Sequence, residues 1–153
     1  MRRIFDALGP QRGRHNWGVK MMKEIRNMTD EVIQIFLRLY QEERLACPHC
    51  GKLVADPLFV FQFLLLQNFY DKLFYITSFY RCPEYNAQIG GAIYSRHLTG
   101  RAVDIAIPNG QITDFVNHCK EVGITTVLLY PEKKFIHLDN QFRGFYINLN
   151  YHR

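Results

Sequence analysis

The first half of the chain has apolar side chains at helical spacing. Over residues 29–45 they recur every three or four positions, which predicts an amphipathic helix with Thr29 as its N-cap. The apolar positions of this helix are Val32, Ile33, Phe36, Leu37 and Tyr40. Residues 57–72 are apolar on nearly every side and begin with Pro57, which suits the first turn of a helix. We expect this second helix to lie at the centre of the core.

From residue 74 onward the pattern changes to the alternation that is typical of strands. Strands are predicted at residues 74–78, 101–107, 124–130, 134–139 and 143–149, with a helix at residues 111–121. Residues 80–96 are rich in Pro, Asn, Gly and Tyr and are predicted to form a long ordered loop. Within its strand, Asp104 lies on the face opposite to its apolar neighbours. The predicted fold class is α+β, with N-terminal helices packed on a mainly antiparallel sheet.

The chain has a basic excess, with a net charge of +5 over 153 residues and an isoelectric point of about 9.1. Much of this excess lies near the N-terminus, at Arg2, Arg3, Arg12, Arg14, Lys20, Lys23 and Arg26. Residues 1–18 show no period and are predicted to be irregular. We therefore expect a basic N-terminal arm, residues 1–28, and a single domain, residues 29–153. A mild basic excess favours anionic polymers, such as nucleic acid or the bacterial cell wall.

The sequence shows no secretory signal, because no apolar stretch follows the basic residues Arg2 and Arg3. The most apolar run, residues 58–66, is too short to span a bilayer. We therefore expect a protein that is made in the cytoplasm without a signal peptide and that has no membrane span. If its substrate lies outside the cell, another route has to bring the two together.

The four cysteines leave three alternatives open. Cys47 and Cys50 lie in the segment CPHCG, which has the shape of a zinc knuckle, but the sequence has no second CxxC pair. Cys82 and Cys119 are isolated and could complete a second metal site only if the fold gathers them. Cys47 and Cys50 could instead form a disulfide, although a cytoplasmic origin argues against stable disulfides. The third alternative is that the thiols are buried or free.

The strongest chemical signal lies in the segment SRHLTGRAVDIAI. In it, His97 precedes Asp104 by seven residues, with a glycine between them that lets the backbone turn. His137 lies in the strand segment FIHLD, so its side chain points away from its apolar neighbours, and Asp139 shares its face. Two imidazoles and one carboxylate around an open position form a catalytic zinc site. We therefore expect one zinc ion on one face of the sheet, held by His97, Asp104 and His137.

The segment SFYRCPEYNAQIGGAIYSRHLTGRAVDI, with the later HLD, resembles a known peptidase family. It is similar to the core of the zinc D-Ala-D-Ala carboxypeptidase and L-alanyl-D-glutamate peptidase family. That family lies within the lysostaphin/D-Ala-D-Ala metallopeptidase/sonic hedgehog superfamily, and the chain resembles its HxD branch most. The resemblance implies that His97, Asp104 and His137 are the zinc ligands. It also implies that Arg81 binds substrate or stabilises the oxyanion, and that Ser95 supports the site through a hydrogen bond.

Two departures from the family's pattern bear on the chemistry. Phe79 stands where the family usually has glycine, so the backbone there has to accommodate a bulky side chain. Many relatives carry an acid or a histidine two or three residues before the last ligand as general base, whereas this chain has Lys134 and Phe135 there. Asp139 is the first candidate for the base, or it only orients the last ligand. Glu132, in the predicted hairpin, is the second candidate.

These observations predict a zinc metallopeptidase that hydrolyses peptidoglycan stem peptides. It would act as a D-Ala-D-Ala carboxypeptidase or as an endopeptidase of the L-Ala-D-Glu type. Its small size also fits a bacteriophage endolysin or a virion component that acts on the cell wall. The alternative is a non-catalytic zinc-binding protein with a structural or recognition role on the same fold, which the missing base favours. A nucleic-acid-binding protein that uses the basic arm and the CPHC segment is the least favoured hypothesis.

Overall fold

The computed structural model of the chain describes residues 14–108, 111–141 and 144–151. Its helices are α1 (Arg14–Tyr40), α2 (Glu42–Leu45), α3 (Pro57–Gln67), α4 (Pro83–Gln88) and α5 (Ile112–Glu121), with a 3-10 helix at Arg96–Thr99. Its strands are β1 (Ile76–Ser78), β2 (Ala102–Ala106), β3 (Thr126–Tyr130), β4 (Phe135–Asp139) and β5 (Tyr146–Asn148). The predicted α+β class is confirmed. Within the described ranges, no helix combines the length and the apolar character needed to cross a membrane.

Helix α1 begins earlier than the sequence predicts. It starts at Arg14, so the irregular backbone expected for residues 14–18 is wrong, and it continues without a break past residue 28. Residues 19–28 consist mainly of Lys, Met, Glu and Arg, which are good helix formers and favour a continuous helix. The division into a basic arm and a domain stays a prediction, and the first 13 residues lie outside the described part of the chain.

The two ends of the predicted helix over residues 29–45 also differ from the structure. Thr29 lies inside α1 and is not an N-cap, because its hydroxyl donates to a carbonyl oxygen of the preceding turn at 2.7 Å. Helix α1 ends at Tyr40, since Gln41 adopts a φ of 62° that no right-handed helix allows, and the chain continues as α2. Tyr40 packs against Phe63 of α3, with ring centroids 5.6 Å apart.

Helix α3 lies at the centre of the core, as predicted. Its fully buried side chains are Phe59, Val60, Phe63 and Leu66. The carboxylate of Asp56 accepts a hydrogen bond from the backbone N–H of Phe59 at 3.0 Å, and Pro57 occupies the first turn. The helix ends at Gln67, five residues earlier than predicted. The amide of Gln67 donates to the carbonyl oxygen of Lys72 at 3.0 Å and holds the following segment back against the helix end.

The strands of the described residues form one sheet in the order β1-β2-β4-β3-β5. All neighbouring strands are antiparallel except β3 and β5, so the prediction of a mainly antiparallel sheet is confirmed. Strand β2 lies beside β4, with Asp104 opposite His137 and Ala102 opposite Asp139. The side chains that these two strands bury in the core are Val103, Ile105, Ile136 and Leu138. One face of the sheet therefore packs on the helices, and the other carries the predicted ligands.

The segment 80–96 contains a helix, so the prediction of an uninterrupted loop is wrong. Helix α4 begins after Cys82, whose Sγ accepts a hydrogen bond from the backbone N–H of Tyr85 at 3.4 Å. Pro83 occupies its first turn, where a missing N–H does no harm. A six-residue helix is too short to show a hydrophobic period. The residues at its N-terminus, Cys82 and Pro83, were the one local signal for this helix.

Candidate metal centre

The three predicted ligands come from three different elements. His97 lies in the 3-10 helix, Asp104 in the middle of β2, and His137 in the middle of the neighbouring strand β4. Gly100 ends the 3-10 helix with a φ of 66° and turns the chain into β2. A Cβ atom at this glycine would lie 2.2 Å from the carbonyl oxygen of Val54, so the close approach of the two segments requires glycine.

The ligand atoms of these residues converge on one point. His97 Nε2 lies 3.2 Å from both Asp104 Oδ1 and His137 Nδ1. His137 Nδ1 lies 2.8 Å from Asp104 Oδ1. A tetrahedral zinc ion with nitrogen and oxygen ligands at about 2.0–2.1 Å separates such atoms by about 3.3 Å. The donor set therefore fits a zinc ion after a small outward shift of the ligands.

The second nitrogen of each imidazole is held by a hydrogen bond. His97 Nδ1 donates to the carbonyl oxygen of Phe79 at 2.5 Å, and His137 Nε2 donates to Asp139 Oδ2 at 3.1 Å. The other oxygen of Asp139 accepts from the backbone N–H of Gln141 at 2.9 Å. A neutral imidazole has one N–H, so these bonds leave the lone pairs on the two nitrogens that face each other. Both histidines are thus oriented to bind a metal through these nitrogens, and zinc has to displace the proton that His137 carries there when it is charged.

Arg81 is the cation next to the ligands. Its guanidinium forms an ion pair with Asp104 Oδ2, and its Nε donates to Ser78 Oγ at 2.9 Å. The two carboxylate oxygens of Asp104 therefore have different partners. Oδ2 accepts from the guanidinium, and Oδ1 faces the two imidazoles. The structure thus places Arg81 where it fixes the carboxylate ligand, and a guanidinium has further N–H donors for another partner.

Burial and pairing together determine the charges of the ligands. Burial lowers the pKa of His97, although Asp104 acts in the opposite direction. Burial opposes the ionisation of Asp104, but His97 and His137 hold the pKa of its carboxyl well below the usual range. Burial also lowers the pKa of His137, but its hydrogen bonds with Asp104 and Asp139 outweigh this effect and raise the pKa to about 9. The site favours an anionic carboxylate that attracts positive charge, which suits a divalent cation.

A cleft with a volume of about 690 Å³ opens next to the ligands. The predicted site residues that line it are Arg81, Ser95, His97, Asp104, His137 and Asp139. Arg96, Lys133 and the highly exposed Tyr94 also line it, and these three are not among the site residues predicted from the sequence. Arg96 directly precedes His97, and this adjacency was the signal that could have identified it. Tyr94, three residues before His97, had the same signal, whereas Lys133 lies in a separate segment that the fold alone brings to the site.

The remaining candidates for the site occupy different surroundings. Ser95 precedes the 3-10 helix without capping it through its side chain, and its predicted hydrogen bond in support of the site stays a prediction. Glu132 is exposed in the turn between β3 and β4 and does not line the cleft. Its role as a base therefore has no support from its position.

Phe79 is accommodated because its side chain points into the core. It is buried between Phe36 and Phe59, with ring centroids 5.1 Å and 6.5 Å away. Its carbonyl oxygen points the other way and accepts the hydrogen bond from His97. The bulky residue at this position thus contributes to the core and positions a ligand at the same time.

The four cysteines are free thiols, so the disulfide between Cys47 and Cys50 is not formed. Cys119 is buried in the core. Cys47 and Cys50 instead lie close to Cys82, and none of these three residues lines the cleft. The fold therefore gathers three of the four cysteines, as a second metal site would require.

Two imidazoles and one carboxylate that converge beside a guanidinium in a cleft are typical of a metallopeptidase. A family model described as Peptidase M15 matches residues 50–139, which is more than half of the chain and includes the three predicted ligands. The chain belongs to the Peptidase M15 family, whose members are in general zinc-dependent, so the resemblance found in the sequence is confirmed. No curated protein matches the chain significantly.

Proposed function

We propose that this protein is a zinc-dependent peptidase that hydrolyses the stem peptides of peptidoglycan. It would act either as a D-Ala-D-Ala carboxypeptidase or as an endopeptidase of the L-Ala-D-Glu type. The observation that carries the proposal is the convergence of His97 Nε2, Asp104 Oδ1 and His137 Nδ1 within 3.2 Å of one another beside an open cleft. Membership of the Peptidase M15 family supports a metallopeptidase of the peptidoglycan-acting kind in general.

In this proposal the protein's own residues prepare the centre before substrate arrives. Catalytic zinc sites use three protein ligands and leave the fourth position to water or substrate. When bound, zinc lowers the pKa of a water molecule towards neutrality and polarises the scissile carbonyl. The carbonyl group of Phe79 and the carboxylate of Asp139 orient the two imidazoles, and Arg81 orients Asp104. Such preorganised contacts keep the ligands in place during the reaction.

The positive side chains of the cleft support a substrate that carries carboxylates. Arg81, Arg96 and Lys133 all line the cleft, and guanidinium and ammonium groups form strong hydrogen bonds with carboxylates. Stem peptides have free carboxylates, which include the terminal one of the D-residue. Arg81 has N–H groups beyond the two that bind Asp104 and Ser78. We propose that these groups bind the substrate carboxylate or the developing oxyanion.

The contacts of Asp139 support an orienting role for this residue. One carboxylate oxygen accepts from His137 Nε2 and the other from the backbone N–H of Gln141, so both oxygens are already engaged. A carboxylate behind a metal-bound histidine fixes the ring and raises its basicity. The role of Asp139 as general base stays a prediction of the sequence, and the kinetics of its variants distinguish the two roles.

Digestion of purified peptidoglycan, followed by mass spectrometry of the fragments, tests the proposed activity. We expect the full-length protein with zinc to release terminal D-Ala or to cut between L-Ala and D-Glu, and the fragment masses identify the bond. The variant His97→Ala should release no fragments. His118→Gln is the matched control, because His118 lies on α5 outside the cleft and bonds Tyr70. A zinc-loaded wild type that cuts neither peptidoglycan nor muropeptides would contradict the proposed activity.

A second candidate function is recognition of the cell wall without catalysis. It is favoured by Lys134 and Phe135, which replace the acid or histidine of many relatives, and by the engaged oxygens of Asp139. This candidate predicts a protein that binds zinc and sediments with peptidoglycan but releases no new amino groups. The digestion described above therefore separates it from the peptidase.

We extend the proposal to a bacteriophage lysin that acts on the cell wall. The net charge of +5, which favours an anionic wall, supports this role. Added to bacterial cells whose peptidoglycan is exposed, the protein should clear the suspension, and His97→Ala should not. Turbidity that stays constant with an active wild-type peptidase would contradict the lysin role.

A further inference from the structure

A second group of metal-binding side chains lies outside the residues that line the cleft. The Sγ atoms of Cys47, Cys50 and Cys82 lie within 4.8 Å of one another. His49 lies next to this group, with its Nδ1 3.5 Å from Cys82 Sγ. Three of these residues come from the CPHCG turn, and Cys82 comes from the segment between β1 and α4. The fold therefore brings together three thiols that bind zinc readily, with an imidazole beside one of them.

The backbone of the CPHCG segment forms a closed turn. Gly51 has a φ of 68°, and its N–H donates to the carbonyl oxygen of Cys47 at 2.8 Å. The N–H of Cys47 in turn donates to the carbonyl oxygen of Lys52 at 2.8 Å. A glycine in the left-handed region directly after the second cysteine lets the chain turn around the two sulfur atoms. The turn thus holds both thiols near Cys82 without any disulfide.

Backbone N–H groups donate to two of the sulfur atoms. The N–H of Cys82 donates to Cys47 Sγ, and the N–H of Tyr85 donates to Cys82 Sγ, both at 3.4 Å. Hydrogen bonds to the charged form stabilise a thiolate, and the thiolate is the form that binds metals.

The spacing of these atoms fits a tetrahedral zinc ion. Zinc with sulfur at about 2.3 Å and nitrogen at about 2.0–2.1 Å separates two sulfurs by about 3.8 Å, and sulfur from nitrogen by about 3.6 Å. The observed 3.5 Å between His49 Nδ1 and Cys82 Sγ matches the second value. Packing in an apolar core does not explain the cluster, because Cys50 is exposed. A disulfide between two of the thiols would leave the third sulfur unpaired.

We propose that Cys47, His49, Cys50 and Cys82 hold a structural zinc ion, separate from the ion of the cleft. Four protein ligands and no open position are typical of structural zinc sites. Cys82 directly follows Arg81, so this metal would tie the CPHCG turn to the segment that carries the cation of the cleft. The inference goes beyond the proposed peptidase function and does not depend on it.

Cobalt substitution of the metal-free, full-length protein under reducing conditions tests this inference. Cobalt bound by thiolates has a strong charge-transfer absorption in the near ultraviolet, which a site of histidine and aspartate lacks. We expect this band in the wild type and in His97→Ala. We expect Cys50→Ser to lose most of it, and this exposed position should tolerate serine without loss of fold. Cys119→Ser is the matched control and should keep the full band, because Cys119 lies outside the cluster.

Zinc analysis of the same variants provides a second measurement. The wild type and Cys119→Ser should each contain about two zinc ions per chain, and Cys50→Ser and His97→Ala about one. A wild type without the charge-transfer band, or with the same zinc content as Cys50→Ser, would overturn the structural site. A protein that keeps the band but does not cut peptidoglycan would contradict only the proposed peptidase, so the two failures are distinguishable.

Discussion

His137 is held from both sides, by Asp104 and by Asp139. Its Nδ1 lies 2.8 Å from Asp104 Oδ1, and its Nε2 donates to Asp139. His97 is held in the same way, because its Nδ1 donates to the carbonyl oxygen of Phe79. At the scale of residues, the centre thus depends on two hydrogen-bond acceptors as well as on the predicted ligands. They are the carbonyl oxygen of Phe79 and the carboxylate of Asp139. Substitution of these acceptors should affect zinc affinity first.

Asp139→Ala should weaken zinc binding by about 10- to 100-fold, because His137 Nε2 loses its acceptor. Competition with a chromophoric chelator measures this affinity. Asp139→Asn keeps an acceptor oxygen without the charge, and at saturating zinc we expect it to retain most of kcat. A fall in its kcat by about 100-fold or more at full zinc occupancy would contradict the orienting role and identify Asp139 as the general base.

Arg81→Lys should lower kcat/KM on a muropeptide by about 10²- to 10³-fold while the zinc content stays unchanged. Lysine keeps the charge but loses the planar fork that serves Asp104, Ser78 and a substrate group together. Arg101→Lys is the matched control, since Arg101 pairs with Asp56 outside the cleft and is partly exposed. Equal kcat/KM for both variants and the wild type would exclude Arg81 from catalysis and substrate binding.

At the scale of elements, strands β2 and β4, which carry Asp104 and His137, could be predicted from the sequence. Their alternation is local, and the predicted ranges 101–107 and 134–139 end within one residue of the observed strands. The pairing that sets Asp104 opposite His137 is not local, so only the structure provides it. Short elements were missed for a related reason. Helix α4 has too few residues for a period, and its start depends on the cap formed by Cys82.

The junction between the 3-10 helix and β2 predicts a specific effect on stability. Gly100→Ala should destabilise the protein by about 3 kcal/mol, because the left-handed backbone disfavours a Cβ atom and the backbone of Val54 leaves no room for it. Gly90→Ala is the matched control, with a φ of 69° and no described atom within 4 Å of the new Cβ. It should lose only about 1 kcal/mol. Urea denaturation compares the two, and equal losses would contradict the close packing at Gly100.

The contact between α1 and the end of α3 makes a second prediction at this scale. Tyr40 donates to Gln67 Oε1 at 2.5 Å in the core, and burial raises the pKa of its hydroxyl, which therefore stays a donor. Tyr40→Phe should lower the free energy of unfolding by about 1 kcal/mol. Tyr75→Phe, at an exposed position, should leave it unchanged. Chemical denaturation measures both, and an unchanged stability of Tyr40→Phe would show that the buried hydrogen bond contributes nothing.

At the scale of the whole molecule, the apolar core and the cleft lie on opposite faces of the sheet. The helices and one face of the sheet form the apolar core, and the other face carries the ligands and the cleft. The α+β class and the family could be predicted, because alternation and motif are properties of neighbouring residues. The ligand set stays a prediction, which the convergence of His97, Asp104 and His137 supports. The place of Lys133 beside the cleft could not be predicted, since it comes from a separate segment that only the folded chain brings there, whereas Arg96 directly precedes His97 and could have been identified. For the same reason, the sequence could not show whether Cys82 lies next to the CPHCG turn.

The measurement that tests the central claim most directly is zinc-dependent cleavage of purified peptidoglycan by chelator-treated protein. Stripped wild type should release no new amino groups, and added zinc should restore the activity. Asp104→Asn, which lacks the anionic ligand, should stay inactive at the same zinc concentration. Stripped wild-type protein that cuts as fast as the zinc-loaded form, or an Asp104→Asn variant with wild-type activity, would contradict a zinc peptidase built on His97, Asp104 and His137.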